Sequence, residues 1–513
     1  MLVDDFLTDS ARRMPGKVAL VCEGSRLTYR EIDDLANKMA NALIDSGVER
    51  GDRVAIFLDN SVETVISISG ILKAGAVFLV VNRTTKADKL SFILNNCRAK
   101  GIISDRNAAN LLSSIASDTP DLRFLVLKDG YPENGRFHSE HCFSLQEFLD
   151  AAPAAPPPRK CISIDLASII YTSGSTGYPK GVTLTHLNMV TAATSITQYL
   201  ENIPSDIILN VLPLSFDYGL YQMLMAFKIG GMLVLERSFT YPYKVINLML
   251  QERVTGFPGV PTIFSILLQL EDIRKIDFKD LRYITNTGAA LPVDHIRRIR
   301  ETFPKATLYS MYGLTECKRV SYLPPEELDR RPASVGKGMP NEEVFLIDDN
   351  GQRIATPDTV GELVVRGANV MVGYWENPEE TAKCLKPGLH PWEKVLYTGD
   401  LFKMDEEGFL YFVGRKDDII KSRGEKVSPK EVENVLHALP GVLHAAVIGV
   451  PDEVLGQAVK AFVVPKKGAQ LTEKDIFKYC RANLEDFMVP KYVEFRDSLE
   501  QTSSGKIKKT NLK

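Results

Sequence analysis

Apolar positions in the first third of the chain alternate between two periods. Residues 52–58 (Asp-Arg-Val-Ala-Ile-Phe-Leu) form a short apolar run between Gly51 and Asn60, which predicts a buried strand. From Val62 to Ala74 the apolar residues recur at helical spacing. Residues 76–81 return to a strand pattern, and 102–104 repeat it after another helix. Such alternation predicts parallel sheets covered by helices. Residues 151–158 (Ala-Ala-Pro-Ala-Ala-Pro-Pro-Pro) predict a loop, because consecutive prolines fix φ and remove backbone donors. A strand is expected at 167–172, and further strands at 207–212, 231–235, 281–285 and 307–309.

After about residue 340 the texture changes to short strands between turn residues, at 344–348, 361–366, 396–400 and 409–414. This predicts a β-rich subdomain. Residues 415–513 carry 18 Lys/Arg against 14 Asp/Glu, a charge of +4 within a chain of net charge -3, which leaves -7 for the rest. The shift predicts a small separate module with helices at 429–439 and 473–483 and strands at 445–450 and 459–464. The expected division is a core of residues 1–414 and a module of residues 415–513.

Length and composition narrow the classes. At ~150 residues per domain, 513 residues suit about three domains, or one large and one small. With 44% hydrophobic and 25% charged residues, the chain lacks the bias of collagen, coiled coil or wholesale disorder. A charge of -3 and a pI near 6.2 speak against a nucleic-acid partner. The most apolar stretch, from Val62 to Val81, is broken by Glu63 and Lys73, so no run of ~20 apolar residues suits membrane insertion. The start, Met-Leu-Val-Asp-Asp, has no signal-peptide pattern. Seven scattered cysteines, never spaced as C-x-x-C, predict reduced thiols and a cytoplasmic location. His138, His141 and Cys142 sit among Gly, Pro and Asn with no second ligand pair, and read as a surface loop.

The most informative segment runs from Tyr171 to His186: Tyr-Thr-Ser-Gly-Ser-Thr-Gly-Tyr-Pro-Lys-Gly-Val-Thr-Leu-Thr-His. It follows an apolar strand and combines hydroxyls (Ser173, Ser175, Thr176), glycines (Gly174, Gly177, Gly181) and Lys180. Glycines let the backbone approach an anion with its N–H groups inward, hydroxyls add donors, and the lysine supplies a point charge for a terminal phosphate. The spacing is not that of a Walker-type loop. Gly336 and Gly338 do not make a dinucleotide fingerprint, because Asn341 stands where the third glycine would be.

This segment resembles the signature of the adenylate-forming superfamily, which includes acyl- and aryl-CoA ligases, the adenylation domains of nonribosomal peptide synthesis and beetle luciferases. Further motifs follow in the family's order. They begin at Asn286 (Asn-Thr-Gly-Ala-Ala-Leu), Met311 (Met-Tyr-Gly-Leu-Thr-Glu), Tyr397 (Tyr-Thr-Gly-Asp-Leu), Gly414 (Gly-Arg-Lys-Asp-Asp-Ile-Ile-Lys-Ser-Arg-Gly-Glu-Lys-Val) and Ser504 (Ser-Gly-Lys-Ile-Lys-Lys). The resemblance implies an α/β fold. Its large N-terminal domain would have two stacked αβα subdomains plus the β-rich subdomain, and its small mobile α+β C-terminal domain would rotate about a hinge near Asp417. It also implies two half-reactions. A carboxylate attacks the α-phosphate of ATP to give an acyl-adenylate and pyrophosphate, and a thiol then displaces AMP.

The resemblance assigns Thr172, Ser173, Gly174, Ser175, Thr176, Gly177 and Lys180 to the ATP phosphates. It places Tyr312, Gly288 and Ala289 against adenine. Thr315 is a phosphate contact and Glu316 the Mg²⁺ ligand, since a hard cation wants carboxylate oxygen. Asp400 is the acceptor for the ribose hydroxyls, and Arg415 reaches the ribose or phosphate. Lys506 bridges the attacking carboxylate and the α-phosphate, where a cation offsets repulsion between two anions. Lys421 is presented in the thioester-forming state.

Pro213-Leu-Ser-Phe-Asp-Tyr-Gly-Leu-Tyr opens the helix that resembles the family's acyl-pocket helix. Asp217 either pairs with the α-ammonium of an amino-acid substrate or caps a helix starting at Tyr218. Tyr218, Tyr221, Thr287 and Met311 match other pocket-lining positions, and two tyrosines leave little room for a long chain. With no further module after Lys513, the expectation is a free-standing ligase for a small amino or carboxylic acid. The acceptor is CoA or the phosphopantetheine of an acyl or peptidyl carrier protein. Loading of a proline-like amino acid onto a carrier is the leading expectation and acyl-CoA synthesis the alternative; a catalytically silent binding homologue is the remote one.

Overall fold

The computed structural model describes residues 1–130, 142–172, 179–288, 291–416, 418–422, 425–452, 455–484, 488–501 and 507–512. Strands and helices alternate as the apolar pattern predicts. One eight-stranded sheet runs in the order Gly373–Tyr374, Lys180–Thr185, Leu166–Thr172, Val77–Val80, Arg53–Phe57, Ala99–Ser104, Phe124–Leu127 and Cys142–Ser144. A nine-stranded sheet runs Lys337–Gly338, Ser321–Tyr322, Thr307–Tyr312, Tyr283–Asn286, Gly256–Gly259, Ile207–Asn210, Met232–Leu235, Val18–Cys22 and Ser25–Thr28.

The central strands of both sheets are parallel; both edges of the nine-stranded sheet and the Gly373–Tyr374 edge of the eight-stranded sheet are antiparallel, while Cys142–Ser144 at its other edge pairs parallel with Phe124–Leu127. At the Ser25–Thr28 edge the departure from the all-parallel expectation comes from a tight turn. Glu23 (φ 49) and Gly24 (φ 85) both lie in the left-handed region, the two-residue hairpin that matches strand twist.

The central strands of the eight-stranded sheet read as continuous apolar runs because both of its faces are buried. Val54, Ile56 and Phe78 face a core shared with the nine-stranded sheet, while Ala55, Phe57, Val77 and Leu79 face a second core. Helices Ala87–Asn96 and Ala109–Ile115 cover that second core. The shared core also takes residues from helices Tyr29–Asp45, Val62–Lys73, His186–Tyr199 and Asp217–Ile229. Capping residues set several of these starts: Thr28 and Thr185 form capping boxes, and Ser61 accepts from the Thr64 amide.

The β-rich region is a five-stranded sheet of Glu342–Ile347, Gly361–Gly367, Lys394–Met404, Leu385–Pro387 and Leu410–Arg415. Beyond it, strands Ile420–Ser422, Glu425–Val427, Val442–Asp452, Gly456–Pro465 and Tyr492–Phe495 form a separate sheet. That sheet and helices Pro429–Ala438 and Glu473–Asn483 enclose their own core around Val432, Leu436, Val447, Val463 and Ile476. Among the described residues, no helix is long and apolar enough to cross a membrane.

Candidate active site

The carboxyl ends of strands from both large sheets converge on one cleft. This is where open α/β sheets place their ligands, because the chain leaves the sheet there in loops. A cavity of 390 Å³ is lined by residues that end or follow strands: Thr172, Ser215–Tyr218, Thr287, Gly288, Gly313–Glu316 and Arg415. An adjoining cavity of 330 Å³ shares Thr287, Gly288, Gly313, Leu314 and Arg415, and adds Met311, Tyr312 and Asp400. Its far wall comes from the C-terminal unit, including Lys430, His437, His444, Gln501, Ile507 and Lys509. Gly288 (φ 87) supplies the left-handed turn that carries the chain off its strand into the cleft.

Tyr312 and Asp400 are joined directly. The phenol donates a hydrogen bond to Asp400 Oδ2, and the ring packs edge-on against Phe402, 4.8 Å between centroids. Burial and the neighbouring carboxylate push the Tyr312 phenol well above its usual range, so it stays a donor. Arg415 Nε lies 3.5 Å from Asp400 Oδ1, across a strand pair in which the two residues are opposite each other.

The phosphate side is assembled by a strand pairing. Lys180 starts the strand Lys180–Thr185, which runs antiparallel to Gly373–Tyr374. This brings Lys180 Nζ to 5.4 Å from the Tyr374 ring centroid. The Tyr374 hydroxyl donates to Glu316 Oε1 at 2.8 Å. Glu316 Oε2 makes no hydrogen bond among the described residues, and Glu316 lines the cavity with Thr315. A carboxylate so placed suits a hard divalent cation. Lys180 itself is paired with Glu380 on helix Pro378–Cys384. That pairing, with Lys383, holds the Glu380 carboxyl below its usual range.

Asp217 does not cap a helix starting at Tyr218. The helix begins at Asp217 itself, with Phe216 in the cap position, so Asp217 is not its N-cap. Its Oδ2 instead accepts from Lys318 Nζ at 3.2 Å, in a pair whose side chains are 9% and 2% exposed. Lys318 Nζ also lies over the rings of Tyr221 (4.5 Å) and Tyr218 (5.6 Å). Burial pulls the Lys318 ammonium down to about 8 against the upward pull of Asp217. The Tyr218 hydroxyl is fixed by the Thr285 carbonyl and hydroxyl at 2.9 and 2.6 Å. Tyr221 is fully buried behind it. The Met311 sulfur accepts from Tyr199, and Thr287 Oγ1 is buried with no partner among the described residues.

Thr172, Asp217, Tyr218, Thr287, Gly288, Thr315, Glu316 and Arg415 therefore share one cavity, while Met311, Tyr312 and Asp400 line its neighbour. Ser173, Gly174, Ser175, Thr176, Gly177, Ala289, Asp417 and Lys506 lie outside the described residues, as do His138, His141 and the side chain of Lys421. Three residues escaped the sequence reading: Lys318, Tyr374 and Glu380. Lys318 could have been found, since it lies two positions after Glu316 and a lysine-arginine pair is unexpected between the apolar residues Cys317 and Val320.

The family profile described as AMP-binding enzyme matches residues 7–375, and that described as AMP-binding enzyme C-terminal domain matches residues 431–506. A long-chain-fatty-acid–CoA ligase of Bacillus subtilis (strain 168) is 32% identical over 539 residues, covering 99% of this chain and 94% of that protein. The anthranilate CoA ligase AuaEII, solved with anthranoyl-AMP, superposes with a TM-score of 0.91 at 27% identity, over 100% of this chain and 96% of that one. ATP-bound MatB from Rhodopseudomonas palustris gives a TM-score of 0.90 at 29% identity, over 100% and 98% of the two chains.

Proposed function

We propose that this chain, which belongs to the AMP-binding enzyme family, joins a carboxylic acid to the thiol of coenzyme A through an acyl-adenylate. It is an AMP-forming acid–thiol ligase that uses ATP, Mg²⁺ and CoA. The observation that carries the reading is the convergence, in one cleft, of the Tyr312–Asp400 pair, Thr315 and Glu316, with Lys180 at the edge beside Tyr374. These groups suit a base, a ribose diol and a chain of phosphates in that order.

Tyr312 presents an aromatic face on which adenine would lie. Asp400 accepts from the ribose hydroxyls; it would repel phosphate but suits a diol. Lys180 and Thr172 meet the phosphates, as would the hydroxyl and glycine residues of the sequence motif between them. Bound Mg²⁺ would neutralise charge on the departing pyrophosphate, and Glu316 is the residue that would hold it. A carboxylate oxygen of the acid attacks the α-phosphorus, and the bond from that phosphorus to the β-phosphate bridging oxygen breaks. The thiolate sulfur then attacks the acyl carbon, the carbon–oxygen bond to AMP breaks, and the thiol proton passes to solvent. Lys506 would sit between the two anions of the first step. Gln501 and Ile507, the described residues on either side of that segment, both line the cleft.

The separate core of the C-terminal unit suits rotation of residues 415–513 about Asp417 between the two steps, exchanging Lys506 for Lys421. CoA is favoured over a carrier protein because the Bacillus subtilis relative and the anthranilate-activating neighbour are named as CoA ligases. The Asp217–Lys318 pair removes the reason for expecting an amino acid, since the carboxylate already faces an ammonium group. Acid-dependent exchange of labelled pyrophosphate into ATP, over a panel of carboxylic acids, tests the reading. Exchange with at least one acid, followed by acyl-CoA formation, is expected; exchange with none overturns it.

A further inference from the structure

The acyl end of the cleft contains a feature that an alkyl chain does not need. Beyond its first turn, helix Asp217–Ile229 buries mostly apolar side chains, Leu220, Met223, Leu224, Met225, Ala226 and Phe227, with Gln222 bonded to the Tyr218 carbonyl of its own helix. At its first residue, on the wall of the cavity that also holds Thr315 and Glu316, stands the Asp217–Lys318 pair. Burying such a pair has little net benefit for stability, because two apolar side chains of similar volume serve as well or better. The backbone adds a second sign: Lys318 adopts φ 64, a left-handed conformation that a long side chain rarely takes and that clusters at functional sites.

The pair is charge-balanced but not saturated. Asp217 Oδ1 makes no hydrogen bond among the described residues, and Lys318 Nζ gives one of its three N–H groups to Asp217. Thr287 Oγ1, buried and lining the same cavity, also has no partner among them. Behind the cavity wall, Arg319 is 1% exposed, stacks over Tyr218 at 5.2 Å, and leaves Nε and Nη1 without partners among the described residues. An alkyl chain pressed against this surface would desolvate donors and an acceptor and return nothing to them. An ammonium would meet the like charge of Lys318 as well as the charge of Asp217.

Building on the ligase reading above, we propose that Asp217, Lys318 and Thr287 form a specificity site for an acid carrying an uncharged hydrogen-bonding substituent, a hydroxyl or an amide, close to its carboxyl group. The substituent accepts from Lys318 Nζ and donates to Asp217 Oδ1 or Thr287 Oγ1. Tyr221 packs beneath the lysine, its ring centroid 4.5 Å from Lys318 Nζ.

The test compares wild-type enzyme on short acids matched in length: a hydroxy acid, the corresponding amide-bearing acid, the amino acid and the plain alkyl acid. Acid-dependent pyrophosphate exchange gives kcat/KM for each. The hydroxy or amide acid should exceed the alkyl acid by about 10⁴–10⁵-fold, the range in which sites built to bond a hydroxyl reject the analogue lacking it. The double variant Asp217→Leu/Lys318→Met should lose this preference and gain on the alkyl acid. Its folding is checked by a melting curve with and without ATP. Exchange that favours the alkyl or the amino acid in the wild type overturns this inference while leaving the ligase reading intact; exchange with no acid overturns both.

Discussion

Lys180 and Glu380, 200 residues apart in sequence, are bonded to each other at the edge of the cleft. Lys180 is the cation that the sequence offers to a terminal phosphate, so ATP must take it from Glu380. Replacing Glu380 with Gln should therefore lower the KM for ATP several-fold with little change in kcat, because the competing partner is lost before the chemical step. Initial-rate kinetics at fixed acid check this. A raised KM would show that Glu380 positions Lys180 rather than competing for it.

The Asp217–Lys318 pair should show strong energetic coupling. Lys318→Met leaves a buried carboxylate without its partner, and Asp217→Leu leaves a buried ammonium; breaking such a pair costs ~3–5 kcal/mol. The double variant should recover most of that loss. Urea unfolding of the four proteins gives the cycle. Additive losses would show that the two side chains do not interact in solution.

Stability of the boundary between the two units should fall with acid. His295 on the N-terminal side is held at about 4, and His437 on the C-terminal side at about 3, in both cases chiefly by burial. His444, Lys430, Lys466, Arg298 and Asp294 also act on one or other of them. Both values lie below the 6.5 of a free histidine, so the unfolded chain takes up protons first. The stabilisation of neutral histidine is complete above 6.5 and drains away as pH falls toward 4. Melting curves between those limits should show the decline. A His295→Gln/His437→Gln variant should flatten it, whereas a wild-type profile already flat would contradict the burial of these groups.

The two motif lysines should separate the half-reactions. Lys506→Ala should slow pyrophosphate exchange by ~10²–10³ while ATP still binds, the usual cost of one preorganised charge at a transition state. Lys421→Ala should leave exchange intact and slow thioester formation from preformed adenylate. Loss of exchange in both would contradict the assignment of Lys421 to the second step.

What could be read in advance followed the range of each interaction. The helix expected at 473–483 spans Glu473–Asn483 in the structure, because its capping box and periodicity are local. The strand expected at 52–58 occurs as Arg53–Phe57, buried on both faces. The antiparallel strand Lys180–Thr185 was missed, since a Gly/Pro-rich approach hides its start and the expected alternation calls for parallel partners. Motif spacing picked out Tyr312, Asp400, Thr315 and Glu316, which line two adjoining cavities in the structure. The neighbour of Asp217 was not legible, because Lys318 lies 101 residues away and reaches it only through the packing of a helix against the loop after a strand. The same holds for Tyr374 on Glu316, 58 residues apart.

Oxygen labelling decides whether an acyl-adenylate forms at all. The enzyme is incubated with ATP, CoA and an accepted acid whose carboxylate carries ¹⁸O, and the nucleotide product is weighed by mass spectrometry. Attack of the carboxylate on the α-phosphorus, followed by cleavage of the acyl carbon–oxygen bond by the thiol, predicts AMP bearing one ¹⁸O atom, together with acyl-CoA. Unlabelled AMP, or ADP with labelled phosphate, would show that the acid is activated by another route.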